Sequence, residues 1–131
     1  MYSIGGIDMQ SIRENLIEGL KENTGLEVYF LMPPVNINVS LPLIVLEEVN
    51  NLDHFYEDEF EITSITYDIS VYADKAIDML VFEEVIDKYM KRIGMKKSYT
   101  GGDNYIEPLY CKTMTFTGKV RKYGETYYIY S

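Results

Sequence analysis

Apolar residues recur at helical spacing in two parts of the chain and predict two amphipathic helices. The first covers residues 8–23, and the second covers residues 75–93. Each is followed by a glycine, Gly25 or Gly94, which can adopt the positive φ with which many helices end. The pattern therefore predicts both the helices and the places where they stop.

The residues before and within these helices indicate how each begins and what it buries. Asp8 and Asp74 are predicted N-caps, because a short carboxylate side chain can accept hydrogen bonds from the free amides of the first turn. The apolar positions of the second helix form two adjacent stripes, and such a wide apolar surface predicts burial on more than one side. The stripes consist of Ile77, Leu80, Val81, Val85, Tyr89 and Ile93, and of Phe82, Ile86 and Met90.

The other apolar residues alternate with polar ones or form short runs, which is typical of β-strands. The predicted strands cover residues 26–32, 43–49, 65–72, 109–120 and 126–130. The last strand is predicted to form a hairpin with residues 114–121. The order of helix, strands, helix and strands predicts a single α+β domain over residues 1–131, with two α-helices packed on one face of a mainly antiparallel β-sheet.

Two segments fit more than one structure. Apolar and polar residues alternate over Val35–Ser40, which favours either a short edge strand or an extended arm. Acidic residues without a base crowd residues 50–61, which favours a solvated loop or a protruding hairpin.

Charge divides the chain into two unequal parts. Its 12 basic and 21 acidic residues give a net charge of −9. Residues 1–87 hold 18 acids and 3 bases, a balance of −15, and residues 88–131 hold 3 acids and 9 bases, a balance of +6. A hydrophobic content of 47% excludes a disordered chain, and the acidic total disfavours a general binder of phosphate backbones.

The residue types and their spacing predict no catalytic, cofactor or metal site. We therefore expect a protein that is not an enzyme. His54 is the only histidine, and its spacing from neighbouring acids matches no strong metal-ligand pattern. Cys111 lies within a threonine-rich strand, where a small structural residue is the simplest interpretation. The glycines at 101–102 lack the lysine and helix of a phosphate-binding loop.

Lysines and tyrosines interleave in residues 88–122, a pattern that also occurs on nucleic-acid surfaces. The balance of −15 in the rest of the chain opposes a nucleic acid as the sole partner. Two other functions remain open at this point: a ligand-binding module with a tyrosine-lined pocket, and a nucleic-acid-binding module.

Four stretches follow one another in a recognisable order. They are the helix 8–23 leading into residues 26–29, a proline-led strand ending in acids at 41–48, an alternating strand at 65–74 that runs into a helix ending at 93–95, and the strand 114–120 followed by a short tyrosine-bearing strand. In this order the chain resembles the small tail terminator and tail-completion proteins of long-tailed phages and of phage-tail-like bacteriocins. The likeness covers nearly the whole chain and consists of strand patterns, not of catalytic signatures.

The resemblance implies a structural virion protein that forms a hexameric ring at the head-proximal end of a tail. Such a ring caps the tail tube, and the sheath of a contractile tail, and terminates polymerisation. Its partners are further copies of itself, tube and sheath proteins, and neck or connector proteins, without a membrane and with DNA contact only in the ring lumen. The particle would be assembled in the bacterial cytoplasm. The alternative is a head-tail joining (neck) completion protein.

A ring also suggests a use for the divided charge, because ring contacts join two different surfaces of the same subunit. We expect an acidic group to face a basic group of a neighbour, with an apolar arm pairing against another chain. The predicted interface residues are Asp53, Glu57, Asp58, Glu59 and Glu61, then Lys96, Lys97, Arg121 and Lys122, and finally Val35, Ile37 and Val39.

Overall fold

The computed structural model describes residues 3–4, 7–34, 41–49, 54–57, 60–102, 104–106, 109–123 and 126–131. Of residues 3–9, 54–57, 60–61, 104–106, 122–123 and 126–127 it describes the backbone only, where it describes them at all. The elements, in chain order, are β1 (Ser3–Ile4), β2 (Ile7–Asp8), α1 (Met9–Thr24), β3 (Val28–Phe30), β4 (Leu43–Glu48), β5 (His54–Glu57), β6 (Phe60–Ala73), α2 (Ala76–Arg92), β7 (Lys96–Thr100), β8 (Asn104–Ile106), β9 (Leu109–Tyr123) and β10 (Thr126–Tyr130).

The predicted α+β class with a mainly antiparallel sheet is confirmed. Long strands β6 and β9 form its centre and pair antiparallel from Ile62 opposite Arg121 to Ala73 opposite Tyr110. Along the free side of β6 lie β4 and β5, and β3 pairs parallel with β4. Along the free side of β9 lie β8, β7 and β10 in succession. The strands before α2 therefore occupy one side of the sheet, and those after it occupy the other.

Alternation along the central strands turns one face of the sheet toward the helices. Tyr67 of β6 lies opposite Phe116 of β9, and both side chains are buried in the core. Ile69 lies between Leu46 and Met114 on the same face. Residues of both helices complete this core, and they are Ile12, Leu16 and Leu20 of α1 and Met79, Ile86 and Met90 of α2. No helix in the described part of the chain is long and apolar enough to cross a membrane.

Both helix ends form where the glycines predict them. Gly25, at φ 73°, donates its amide to the carbonyl of Lys21 at 2.8 Å, which is the left-handed cap of α1. Gly94, at φ 106°, donates to Lys91 at 3.1 Å, and Met95 donates to Met90 at 3.0 Å. This pair of bonds is the Schellman motif, which satisfies the last carbonyls of α2.

The predicted beginning of α2 is wrong. The N-cap is Lys75 in an extended conformation, with no side-chain cap bond, and Asp74 lies one residue outside the cap. Asp8 belongs to β2, directly before α1, and its side chain is outside the described residues.

The prediction that α2 is buried on more than one side is only partly correct. Met79, Ile86 and Met90 face the sheet, and the Tyr89 flank packs toward Gly19 of α1. The stripe to which Tyr89 belongs is exposed at its start, with Ile77, Leu80 and Val81 at 64%, 44% and 49% of their accessible areas. The reason is that a single neighbouring helix covers only one flank of α2.

The predicted strands form at the expected positions but differ in length. The strand at 26–32 shortens to β3 because Leu31 adopts φ 78°, a left-handed conformation that ends an extended strand. The acidic segment 50–61 contains the β5–β6 hairpin, so the hairpin interpretation is correct, although residues 50–53 and 58–59 lie outside the described residues. Strands β1, β2, β7 and β8 were not predicted, and Val35–Ser40 lies outside the described residues. The terminal hairpin pairs β10 with residues 119–123.

Candidate interaction surfaces

Charged residues are separated across the sheet by strand. Strands β7, β9 and β10 contain six lysines or arginines and no acid, and these bases are Lys96, Lys97, Lys112, Lys119, Arg121 and Lys122. Strands β3 to β6 contain five acids and no lysine or arginine, and these acids are Glu47, Glu48, Glu57, Glu61 and Asp68. The division of charge along the sequence therefore becomes a division in space, with its boundary between β6 and β9.

Ion pairs inside the chain already engage the bases that face α2. Lys112 Nζ lies 2.8 Å from Glu83 Oε2, and both side chains are largely buried. Lys97 Nζ lies 3.2 Å from Asp87 Oδ1, and Lys91 Nζ lies 2.9 Å from Asp87 Oδ2. Burial by itself would raise the pKa of Asp87, but hydrogen bonds from Lys91 and Lys97 lower that pKa overall. The pairs of Lys112 and Lys97 join the sheet to α2, whereas the Lys91–Asp87 pair lies within the helix.

The four predicted basic interface residues do not form one surface. Lys96 is exposed, whereas the next residue, Lys97, points to the opposite face and is paired with Asp87. Arg121 stacks over the ring of Tyr130 at 5.8 Å, and the side chain of Lys122 is outside the described residues. Arg121 also lies opposite Ile62, so it sits beside the β5–β6 hairpin of its own chain.

The predicted acidic and apolar interface residues fall mostly outside the described part of the chain. Asp53, Asp58 and Glu59 lie outside it, as do Val35, Ile37 and Val39. Glu57 and Glu61 occupy the β5–β6 hairpin, where their backbone alone is described. Their role in an interface stays a prediction.

The sheet face turned away from the helices carries hydroxyl groups along its centre. Ser70 Oγ lies 2.7 Å from Thr113 Oγ1, and Thr115 Oγ1 donates to Asp68 Oδ1 at 2.6 Å. Each bond joins β6 to β9 across a directly opposed pair. These side chains form a polar surface held in register by side-chain hydrogen bonds.

A cleft of about 280 Å³ opens on this polar face, where the end of β7 and the end of β10 meet β9. We call it the lysine cleft, and its polar lining consists of Lys96, Lys119, Ser64, Thr66, Thr117 and Ser131. Register places Lys96, Thr117 and Thr66 in one row across the strands, and Lys119 and Ser64 in the next. Among the described residues, neither Lys96 nor Lys119 has an acidic ion-pair partner.

Two exposed tyrosines extend the lysine cleft along β9. Tyr99 lies opposite Thr115 and Tyr128 lies opposite Arg121, and these side chains are 63% and 54% exposed. Because Thr115, Thr117, Lys119 and Arg121 alternate along β9, they share one face of the sheet. We call this row, with the lysine cleft and both tyrosines, the cationic strip. Lys119 belongs to the basic segment 88–122 but was not among the predicted interface residues, although its alternation with the buried Val120 is a usable signal.

A second surface lies on the outer side of α2. Ile77 and Val81 stand two residues on either side of Met79, which places them about 200° around the helix from the sheet-facing side. Leu80 lies between them in sequence. We call the three residues the helix patch. Asp74 and Asp78 flank it, and no described base forms an ion pair with either carboxylate.

The thiol in β9 is poorly placed for nucleophilic chemistry. Burial raises the pKa of Cys111, although hydrogen bonds from Tyr72 and Thr113 act in the opposite direction. Burial, together with the neighbouring Cys111, raises the pKa of Tyr72 to about 12. Both groups are therefore protonated near neutral pH, and the thiolate that a cysteine nucleophile needs is scarce.

Fold and surfaces together define an α+β protein with helices on one face of its sheet. The other face carries hydroxyl and charged side chains, together with the buried Leu43, Val45 and Ile62. Within the described residues, no group of three His, Cys, Asp or Glu side chains is arranged to hold a metal ion. No family model matches the sequence. A search of curated proteins returns no match either.

Proposed function

We propose that the chain is a structural subunit of a phage or phage-like particle, and that it forms a ring at the head-proximal end of the tail. The ring caps the tail tube, together with the sheath where one exists, and so terminates polymerisation. The order of helices and strands that carries the resemblance to tail terminators supports this proposal. The ring is expected to contain six copies of the chain, as the rings of that family do.

The observation that carries the proposal is the separation of charge between strands. One side of the sheet contains bases without acids, and the other contains acids without bases. Two different surfaces of opposite charge suit a head-to-tail contact, in which one surface of a subunit meets the other surface of its neighbour. Repeated head-to-tail contacts generate a ring when the rotation between neighbours closes. Charge pairs at the rim of such contacts set register and suppress wrong partners.

The first test is assembly in solution. Light scattering over a range of protein and salt concentrations should show a closed oligomer at low salt, with weaker association as salt screens the charges. A chain that is monomeric at every salt and protein concentration, even with tail-tube protein added, would contradict the ring.

The second test is capping itself. Under this proposal, the tail-tube protein of the same particle should elongate into tubes of uncontrolled length when alone. Adding the chain during elongation should shorten the tubes and place a ring at one end, as seen by electron microscopy. Bovine serum albumin at equal mass is the control, and tubes of unchanged length would refute the capping role. A chain that instead joins isolated heads to tails would support the neck alternative.

Nucleic-acid binding is a second candidate, because β7, β9 and β10 carry bases and tyrosines without an acid. Retention of duplex DNA should then fall steeply with salt, since each neutralised phosphate releases a counterion. Weak retention that is independent of salt would remove this candidate.

A further inference from the structure

The helix patch and the cationic strip are each unusual for the surface of this chain. A surface helix normally turns its large apolar residues inward, but Ile77, Leu80 and Val81 face outward. Five described lysines pair with carboxylates of their own chain, namely Lys21, Lys88, Lys91, Lys97 and Lys112. In a chain with 21 acids, Lys75, Lys96 and Lys119 lack such a partner among the described residues, and of these Lys96 and Lys119 share one cleft.

The two surfaces complement each other chemically. The helix patch is apolar, and beside it lie two acids, Asp74 and Asp78, and one base, Lys75, which leaves a net negative charge there. The cationic strip offers aromatic surface from Tyr99 and Tyr128, which flank the lysine cleft. Tyrosine suits such a position because its ring covers apolar side chains while its hydroxyl stays hydrated.

Their dimensions also agree. From Thr115 to Arg121 the cationic strip runs six residues along β9, which is about 20 Å at the rise of a strand. Residues 74–84, which contain the helix patch and its acids, span about 15 Å at the rise of a helix. One helical segment can therefore lie along the strip with its acids near the lysine cleft.

We propose that the helix patch of one copy docks on the cationic strip of a second copy, with Asp74 and Asp78 directed toward Lys96 and Lys119. The helix patch lies on the helix side of the molecule, and the strip lies on the opposite face of the sheet. The two surfaces cannot meet within one chain, so the contact joins two copies head to tail. The inference rests on the proposed function, because it names the contact by which the ring subunits assemble.

A charge exchange tests this contact. One variant carries Asp74→Lys and Asp78→Lys, and a second carries Lys96→Glu and Lys119→Glu. Each alone brings like charges together at every contact, so we expect association more than tenfold weaker than that of the wild type by light scattering. An equimolar mixture restores opposite charges at every contact if the two variants alternate. Native mass spectrometry should then show oligomers with equal numbers of both variants.

Apolar and charge controls separate the contact from general effects. Ile77→Ser with Val81→Ser should weaken association, whereas Met32→Ser, at an apolar residue 68% exposed elsewhere, should not. Lys21→Glu changes an exposed lysine of α1 and should leave association unchanged. Circular dichroism checks that each variant is folded. If the helix N-terminus does not tolerate lysines, Asp74→Asn with Asp78→Asn removes the charges and should weaken association by a smaller factor.

The outcomes distinguish this contact from the ring function. Wild-type oligomers that persist in both charge variants, or variants that do not recover on mixing, overturn the contact while the ring stands. Oligomers that behave as expected but leave tube length unchanged support the contact and refute the capping role. A monomeric wild type overturns both. If the lysine variant instead loses only DNA retention, the cleft is a phosphate site and the contact is wrong.

Discussion

Gly94 allows the last strand to pack against the turn between α2 and β7. Its replacement by alanine should therefore lower the free energy of unfolding more than alanine at Gly25 or Gly102 does. A Cβ at this position would lie 2.3 Å from the carbonyl oxygen of Ile129 and 2.9 Å from the carbonyl carbon. Both atoms belong to the backbone of β10, so they cannot move as a flexible side chain can. The φ of 106° also disfavours any residue with a Cβ.

These two effects set the expected magnitude. The left-handed backbone costs about 1–2 kcal/mol for a residue with a Cβ. Displacing packed backbone adds about 1–3 kcal/mol, as in other overpacked sites. Alanine also lowers the conformational entropy of the unfolded chain, and this stabilises the folded state by about 0.4–1 kcal/mol. We therefore expect Gly94→Ala to lower the free energy of unfolding by about 2–4 kcal/mol, a large part of the 5–15 kcal/mol that is usual for a domain.

Two other glycines provide matched controls. Gly25 has a φ of 73° with nothing within 4 Å of its added Cβ, so Gly25→Ala should cost about 1 kcal/mol from the backbone alone. Gly102 has open space and no positive φ, so Gly102→Ala should be neutral or slightly stabilising. Urea unfolding followed by circular dichroism measures all three. If Gly94→Ala costs no more than Gly25→Ala, the close approach of β10 to the α2–β7 turn is refuted.

Three further experiments test the ion pairs and the half-buried thiol of Cys111. Lys112→Ala leaves Glu83 without its cation in a partly buried position, so unfolding in urea should require about 1–3 kcal/mol less, and the added change Glu83→Gln should recover part of the loss. The folded-state pKa of Asp87 is lowered from 3.8, so its contribution is present above about pH 4 and is lost as pH falls through the lower folded pKa. The stability gap of about 1 kcal/mol between wild type and Asp87→Asn at pH 7 should therefore narrow as the pH falls below about 4, and a gap that stays constant on acidification would exclude this account. Because the pKa of Cys111 is raised, iodoacetamide should modify the native thiol at pH 7.5 much more slowly than the thiol of the urea-unfolded chain, and equal rates would contradict its burial.

The ends of both helices could be predicted from the sequence because they depend on local chemistry. A glycine after an apolar helical stripe takes the positive φ that other residues avoid, and Gly25 and Gly94 both do so. The N-cap of α2 could not be predicted in the same way. Lys75 occupies that position although aspartate is the better capping residue, because the strand that ends at Ala73 fixes where the chain can turn.

Exposure of the helix patch could not be predicted from periodicity. A 3.6-residue period identifies which positions are apolar and which share a side, but the neighbours that cover each side come from the tertiary structure. The same limit applies to the lysines. Lys97 and Lys119 look alike in sequence, yet the turn after α2 brings Lys97 within 3.2 Å of Asp87, while Lys119 lies on the opposite face of the sheet. The resemblance to tail terminators supplied the ring hypothesis, and nothing in the pattern of strands alone required it.

Strand order converts the division of charge along the chain into a polarity of the molecule. Strands β4, β5 and β6 precede α2 and stay together, and the chain crosses over α2 before forming β7 to β10 on the far side of β6. Had β9 been inserted between β4 and β6, acids and bases would have been mixed. The outermost charged strands, β4 and β7, lie about 14 Å apart, at about 4.8 Å for each neighbouring pair of strands, whereas β6 and β9 are direct neighbours. The separation of β4 from β7 exceeds the screening length of about 8 Å at physiological salt, so the outer charges on the two sides of the sheet are largely screened from one another. The acidic side and the basic side can therefore attract different neighbours, which is a property that a head-to-tail ring uses and that the net charge of −9 does not reveal.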